Sequence, residues 1–282
     1  MSTDAIVVEC DSHEFSRSVI DYAATEAART GAELVLAMHN DANVSTDEAS
    51  SLLRRAARDL DSVYRSRLKV GTMMLDGPRT KALIAAGDCA RLVVVGKAAG
   101  GELTGLRAAQ GSLRIATAVS CPVIVVPTTW RSSPMARSVV VGVDGTPLSQ
   151  DAVNYAFAVA DTRGLNVSVV HSYWMGYGRS GAANRPGPAG AWVNAARSTV
   201  SDSLAGCIDA YPHVRVSRVL TTRPVIDTLI SESRYAELVV LGAHAGGGSI
   251  ADPTTRRAIA EMTCPVAIVA HRRVRLSHMG HD

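Results

Sequence analysis

The chain has 282 residues, of which 47% are apolar and only 4% aromatic, and its formal net charge is +3. This length fits two domains of ordinary size. The low aromatic content indicates that their cores are aliphatic. The positive excess lies outside both halves, at Arg131, Arg137, Arg272, Arg273 and Arg275, so the composition argues against a basic nucleic-acid-binding face on the folded body.

The first half alternates strand-like and helix-like segments. Apolar strands are predicted over 5–10, 33–39, 69–75, 91–96 and 122–126. Helices are predicted over 16–29, 47–67, 79–87 and 112–119. Short apolar runs that alternate with helices are typical of a parallel sheet covered on both faces. In such α/β sheets, ligands bind at the carboxyl ends of the strands.

The second half repeats this order, with strands predicted near 138–143, 166–171, 214–220, 237–241 and 265–269. The segment V-V-E-C-D-S-H-E-F-S at 7–16 corresponds to V-V-G-V-D-G-T-P-L-S at 140–149. Likewise, C-P-V-I-V-V-P at 121–127 corresponds to C-P-V-A-I-V-A at 264–270. A repeat of this length indicates two copies of a whole domain.

The domain boundaries follow from the repeat. We predict a first domain at 1–127, a linker at 128–137, a second domain at 138–270 and a tail at 271–282. The Gly- and Pro-rich stretch 172–190 is longer than its counterpart in the first half. Its aromatic residues Tyr173, Trp174 and Tyr177 leave three interpretations open: a mobile loop pinned by one ring, a lid or a docking surface.

Two glycine-rich segments occupy corresponding positions. Gly96 and Gly242 each end an apolar strand, and the following residues read K-A-A-G-G-E-L-T-G and A-H-A-G-G-G-S. The free backbone N–H groups of such a loop, with a helix start behind it, can bind an anion. Alternatively, the glycines only turn the chain. Neither segment matches the Walker or Rossmann fingerprint.

The polar residues at the strand ends are the other candidates. Asp11 and Asp144 each follow the first strand of their half, and either accept hydrogen bonds from a ligand or cap the next helix. His39 and His171 end the second strands and are most simply packing or hydrogen-bonding residues. No Ser-His-Asp or paired-carboxylate arrangement is legible, so we predict neither catalytic residues nor a metal site, and expect no enzyme.

Both halves resemble the universal stress protein domain, and the chain resembles a tandem member of that family. The resemblance covers about 5–127 and 137–270, and depends on V-x-V-D-G-[ST]-x-x-S at 140–149, strand–glycine loop–helix and C-P-V-[IA]-[IV]-V. It implies an α/β fold of two tandem doubly wound domains, each with a five-stranded parallel sheet of order 3-2-1-4-5. Nucleotide-binding members hold ATP, so the resemblance also implies an adenine-nucleotide site, with Mg²⁺ as the counter-ion of ATP.

The resemblance also implies site residues. The residues expected against adenine are Asp11 and Asn40 in the first half, and Asp144 and Ser172 in the second. The family phosphate loop reads G-x2-G-x9-G-[ST], and both halves depart from it. The nearest matches in this sequence are Gly96, Gly100, Gly111 and Ser112 in the first half, and Gly242 and Gly246 in the second. Because the first half keeps the family's loop length, we expect the phosphates there.

These observations predict a stress-response regulatory protein with weak or single-site ATP binding. The alternative is a nucleotide-free interaction scaffold with degenerate phosphate loops, and a slow ATPase is a third option. The apolar final strands P-V-I-V-V and P-V-A-I-V need cover, so the two halves are expected to pair as an intramolecular pseudo-dimer. A homodimer and a protein partner remain open.

We expect the protein to reside in the cytoplasm. Five cysteines form no C-x-x-C pair, and Cys10, Cys121 and Cys264 lie in or beside apolar strands. This usage is typical of a reducing compartment. No apolar run reaches the roughly 20 residues of a membrane-spanning helix, so no membrane contact is expected.

Overall fold

The computed structural model describes residues 4–10, 17–39, 45–65, 67–97, 102–173, 189–244 and 253–271. The first half comprises β1 Ala5–Cys10, α1 Arg17–Thr30, β2 Glu33–His39, α2 Thr46–Tyr64, β3 Val70–Leu75, α3 Arg79–Gly87, β4 Ala90–Lys97, α4 Glu102–Ala118 and β5 Val123–Pro127. The second comprises β6 Ser138–Gly142, α5 Pro147–Arg163, β7 Asn166–Ser172, α6 Ala189–Ala210, β8 Val216–Thr221, α7 Val225–Ser233, β9 Ala236–His244, α8 Pro253–Glu261 and β10 Val266–His271.

The described strands form one ten-stranded sheet in the order β3-β2-β1-β4-β5-β10-β9-β6-β7-β8. Each half therefore has the order 3-2-1-4-5, and its neighbouring strands run parallel. The predicted α/β fold with two tandem doubly wound domains is confirmed. In parallel sheets the carboxyl ends of neighbouring strands share one edge, which is where each half's candidate residues were expected.

The two halves join through their final strands. Strand β5 pairs antiparallel with β10, with Val125 opposite Val266 and Val123 opposite Ile268. Helices α4 and α8 pack against each other across the same junction. The pairing expected of these apolar strands is thus present, and it removes two sheet edges that would otherwise be open to other chains.

Helices cover both faces of the sheet. In β1, Ile6 and Val8 belong to the core beneath α1 and α2, whereas Ala5 and Val7 belong to the core beneath α3 and α4. All four side chains are fully buried. Burial on both faces explains why the strands are nearly continuous apolar runs. None of the helices in the described ranges is long and apolar enough to cross a membrane.

Two helices differ from their predicted bounds by more than one residue. The helix expected over 47–67 ends at Tyr64, because Arg65 adopts the left-handed conformation with φ of +50°. The helix expected over 112–119 is wrong at its start, since α4 begins ten residues earlier at Glu102. Ten residues that the sequence suggested as loop are therefore helical.

Candidate functional site

Asp144 follows β6 in the second half, one residue beyond Val143. Its Oδ1 accepts hydrogen bonds from the backbone N–H of Thr146 at 2.9 Å and from the Thr146 hydroxyl at 2.6 Å. Gly145 between them has φ of +82°, a conformation that glycine adopts without a steric penalty. One role of Asp144 is thus to fix the turn before α5, and its ligand role stays a prediction.

The charge state of Asp144 follows from these contacts. Burial acts to raise the pKa of Asp144, but the hydrogen bonds to its carboxylate, chiefly those from the Thr146 hydroxyl and backbone N–H, together outweigh burial, so the pKa lies below its ordinary value. At neutral pH the group is a carboxylate, which accepts hydrogen bonds from an amine or hydroxyl and donates none.

Strand β7 brings two more candidates to the same edge, since it pairs with β6. His171 is buried, and its Nδ1 donates to the Val143 carbonyl oxygen at 2.7 Å, because a carbonyl only accepts. The Ser172 hydroxyl donates to the Arg223 carbonyl oxygen at 2.8 Å. His171 therefore braces the residue before Asp144, which fits its predicted hydrogen-bonding role.

Gly242 has a packing role. A Cβ on Gly242 would lie 2.3 Å from the backbone oxygen of Leu148 in the first turn of α5, a distance at which no side chain fits. The first turn of α5 thus rests directly on β9, and glycine permits that approach. The next candidate, Gly246, lies outside the described residues.

Helix α8 is the first described element after β9. Its Arg257 contacts the Glu261 carboxylate at 2.6 Å and the Asp227 carboxylate at 2.9 Å. Arg257 is thus a helix-surface residue with two acidic partners. Arg256 is half-buried and makes no hydrogen bond or ion pair with another described residue.

The first half differs at the corresponding edge. Gly111 and Ser112 lie in the middle of α4, with Ser112 buried, so they do not form the expected helix start. Between β4 and α4 only residues 98–101 remain. Gly96 lies one residue before the end of β4, and a Cβ there would lie 3.3 Å from Val19 Cγ2. Asp11, Asn40 and Gly100 lie outside the described residues.

Two charged residues outside the predicted site also make long-range contacts in the first half. Arg79, at the start of α3, holds the Glu9 carboxylate with two hydrogen bonds of 2.5 Å from Nε and Nη2. Lys97 donates to the carbonyl oxygens of Ala260 at 2.8 Å and Met262 at 3.1 Å. Lys97 therefore caps the end of α8 in the other half, as a cation near a helix C-terminus does.

The described residues offer no metal centre. No group of three or more His, Cys, Asp or Glu side chains comes together within them. His271, expected to begin the tail, ends β10, and its Nδ1 lies 2.6 Å from Asp151 Oδ2. Residues 272–282, with the remaining tail histidines, lie outside the described part of the chain, as do Trp174 and Tyr177.

Comparison with known proteins identifies relatives of this chain. The model of the universal stress protein family matches residues 135–270. A universal stress protein of Mycolicibacterium smegmatis is 30% identical over 199 residues, which are 68% of this chain and just under two thirds (66%) of that protein. A universal stress protein of Mycobacterium tuberculosis is 26% identical over 263 residues, 86% of this chain and 88% of the relative.

A solved structure shares the whole fold. The crystal structure of a universal stress protein from Archaeoglobus fulgidus has a TM-score of 0.67 at 12% identity, and the alignment covers 95% of this chain and 97% of that one. The family model and the curated relatives agree, and this chain belongs to the universal stress protein family.

Proposed function

We propose that this chain is a regulatory protein of the stress response that binds an adenine nucleotide, ATP, in its second half. Membership of the family supports the stress-response role. The observation that carries the nucleotide proposal is the ionised Asp144 carboxylate, fixed at the carboxyl end of β6 by two hydrogen bonds from Thr146. Ligands of doubly wound sheets bind at this edge.

The length of chain at the phosphate position favours the second half over the first. In the second half, residues 245–252 separate β9 from α8, so eight residues can present backbone N–H groups to phosphates. In the first half only residues 98–101 separate β4 from α4. Four residues span at most about 14 Å when fully extended, which leaves little chain to wrap a triphosphate. We therefore propose that the phosphates bind in the second half, in place of the first half that loop spacing had suggested.

Asp144 and Ser172 would contact the nucleoside part of the ligand. A carboxylate suits the adenine amino group or a ribose hydroxyl, since both donate hydrogen bonds. The Ser172 hydroxyl hydrogen is committed to Arg223, so Ser172 would meet the ligand as an acceptor. Gly242 would serve the site indirectly, because it lets the first turn of α5 rest against β9.

We do not expect turnover of the bound nucleotide. Hydrolysis needs a positioned water and charge stabilisation on the γ-phosphate. Lys97 is committed to the carbonyl oxygens of Ala260 and Met262, so it is no equivalent of the Walker lysine. Mg²⁺ would accompany ATP as its counter-ion. ATP incubated with Mg²⁺ and the protein should stay intact over hours, and multiple turnovers would contradict this.

A nucleotide-free scaffold is the second candidate function, and it applies to the first half. The observation that favours it is α4, whose helical course through Gly111 and Ser112 removes the expected phosphate loop. The first half would then act as a structural partner of the second and as a surface for another protein. All five cysteines are free thiols, as expected in a reducing cytoplasm, which is the location we propose.

The deciding experiment starts with purified protein, denatured and chromatographed for released nucleotide. Protein freed of nucleotide is then titrated with ATP by calorimetry, alongside Asp144→Asn and its sequence counterpart Asp11→Asn. Asparagine keeps an acceptor for the Thr146 hydrogen bonds but loses the charge. Asp144→Asn should weaken ATP binding about tenfold or more, since hydrogen bonds to charged groups contribute about 1.5–3 kcal/mol, and Asp11→Asn should leave it unchanged. Absence of both released nucleotide and binding heat would favour the scaffold.

A further inference from the structure

A separate cleft of about 300 Å³ lies where the two halves meet. Helix α1 of the first half forms one wall, the linker residues Trp130, Arg131 and Ser132 form another, and Arg163 and Glu237 of the second half close it. None of the residues assigned to the nucleotide site lines this cleft. Its volume is at the lower end of the range for small-molecule sites.

The carboxylates of the cleft are already neutralised. Glu26 lies 2.7 Å from Arg163, and Glu237 lies 2.9 Å from Arg163 and 3.3 Å from Arg29. Asp21 lies 3.7 Å from Arg17, in a more exposed pair. Three arginines therefore balance three carboxylates, and the described lining of the cleft has no uncompensated negative charge with which to attract a cation.

Arg131 is the remaining cation of the cleft lining, and no described residue is its acidic partner. Its Nη1 donates to the Ser18 hydroxyl and, at 2.8 Å, to the Trp130 carbonyl oxygen. Its Nε and Nη2 make no hydrogen bond with another described residue. The same two nitrogens of Arg79 hold the Glu9 carboxylate side-on. Arg131 thus presents the donor pair that fits a carboxylate.

Aromatic rings line the cleft beside this donor pair. Trp130 is half-buried and meets Tyr22 edge-to-face, with ring centroids 5.4 Å apart. Tyr22 is buried, and its hydroxyl accepts a hydrogen bond of 3.0 Å from Arg163 Nη2. The rings are therefore held in place before any ligand arrives. Preformed aromatic walls favour a flat apolar body over a flexible or strongly hydrated one.

We infer that this interdomain cleft binds a small planar monocarboxylate, with the carboxylate on Nε and Nη2 of Arg131 and the flat body beside Trp130 and Tyr22. The single uncompensated charge matches one carboxylate and disfavours a dianion. Because residues of both halves and the linker line the cleft, an occupied cleft also stabilises the junction. This inference is independent of the proposed nucleotide site.

Benzoate serves as the probe. Titration of the full chain, followed by saturation-transfer NMR and by thermal melting, should show saturable binding and a rise in Tm. Arg131→Gln should weaken benzoate binding about tenfold or more, since a charge-assisted bidentate contact is lost. Arg131 is exposed, so the variant is expected to fold, and its melt without benzoate checks this. Arg137→Gln, an arginine of the same linker outside the cleft, is the matched control and should bind as the parent does.

Two further probes separate the carboxylate from the ring. Benzyl alcohol keeps the ring without charge, and phenyl phosphate adds a second negative charge; both should bind more weakly than benzoate. The inference is overturned by an absence of saturable benzoate binding, by equal affinities of the parent and Arg131→Gln, or by an equal loss in Arg137→Gln. Tighter binding of either alternative probe than of benzoate also overturns it.

Discussion

The buried guanidinium of Arg163, from the second half, lies 2.7 Å from the carboxylate of Glu26, from the first. Only 2% of the Arg163 side chain is exposed, and its other amino group lies 2.9 Å from Glu237. The guanidinium carbon also lies 5.5 Å from the ring centroid of Tyr22. The two halves are therefore joined by a buried ionic contact between α1 and α5 as well as by the β5–β10 strand pair.

Arg163→Met should destabilise the protein strongly. Methionine fills a similar volume but leaves Glu26 without its cation, and removing one partner of a buried pair costs about 3–5 kcal/mol. We expect about 3 kcal/mol, because Glu237 keeps Arg29 at 3.3 Å. Arg17→Met, at the exposed pair with Asp21, should change stability by less than about 0.5 kcal/mol. Equilibrium urea unfolding measures both, and equal effects of the two substitutions would refute the role of Arg163.

The two corresponding glycines should respond differently to alanine. In Gly242→Ala the new Cβ meets a backbone oxygen, that of Leu148, at 2.3 Å, so α5 must shift. Overpacking of this kind costs about 1–3 kcal/mol, and the upper end is expected here. In Gly96→Ala the Cβ meets the Val19 methyl at 3.3 Å, which a small side-chain movement relieves, so the cost should stay below about 1 kcal/mol. Thermal melts of the two variants compare them, and an equal loss at both sites would contradict the packing role of Gly242.

The sequence predicted the strands well, for a physical reason. Strands buried on both faces are nearly continuous apolar runs, and the predicted strand at 33–39 matches β2. The start of α4 could not be predicted in the same way. Gly105 and Gly111 suggested a loop, yet each glycine costs a helix only about 1 kcal/mol. Packing of α4 against α8 of the other half outweighs that cost, and a contact between halves is not visible in local sequence.

The candidate site was predictable only in part. Asp144 was identified because it follows an apolar strand, and the residues that brace it, Thr146 and His171, are near it in the chain or on the next strand. Arg163 and Lys97 were missed as interface residues. Their partners Glu26 and Ala260 are 137 and 163 residues away. Partners at such separations follow from how the halves dock, which no local pattern encodes.

The five cysteines should differ in reactivity. Burial raises the pKa of Cys10 and of Cys264 to about 12, so at pH 8 only roughly one in 10⁴ of either is thiolate. Cys121 and Cys207 are also buried, whereas Cys89 is exposed. An aromatic disulfide reagent should therefore titrate one thiol rapidly in the native protein and five after denaturation. Cys89→Ser should abolish the rapid phase, and persistence of that phase would contradict the assignment.

Removing one of the two Thr146 hydrogen bonds should raise the pKa of Asp144. Burial of Asp144 raises its pKa, and the Thr146 hydroxyl and backbone N–H lower it. Thr146→Val removes the hydroxyl hydrogen bond, so burial is opposed less and the pKa rises. The sign of the linked stability follows: a depressed folded-state pKa stabilises the protein above the unfolded-state value of about 3.9, and that contribution disappears as the pH falls through the folded-state pKa. The stability difference between the parent and Thr146→Val should therefore be largest near neutral pH and shrink in acid.

The pKa of Asp144 is measured from the pH dependence of its carboxyl carbon chemical shift. Thr162→Val provides the control, since Thr162 lies in the same helix and its hydroxyl donates to the Ala158 carbonyl oxygen at 2.8 Å rather than to a carboxylate. This control should leave the titration of Asp144 unchanged. An Asp144 that titrates at its ordinary value in the parent, or identically in the parent and Thr146→Val, would show that the turn does not hold the carboxylate ionised. The proposed nucleotide site would then lose its principal support.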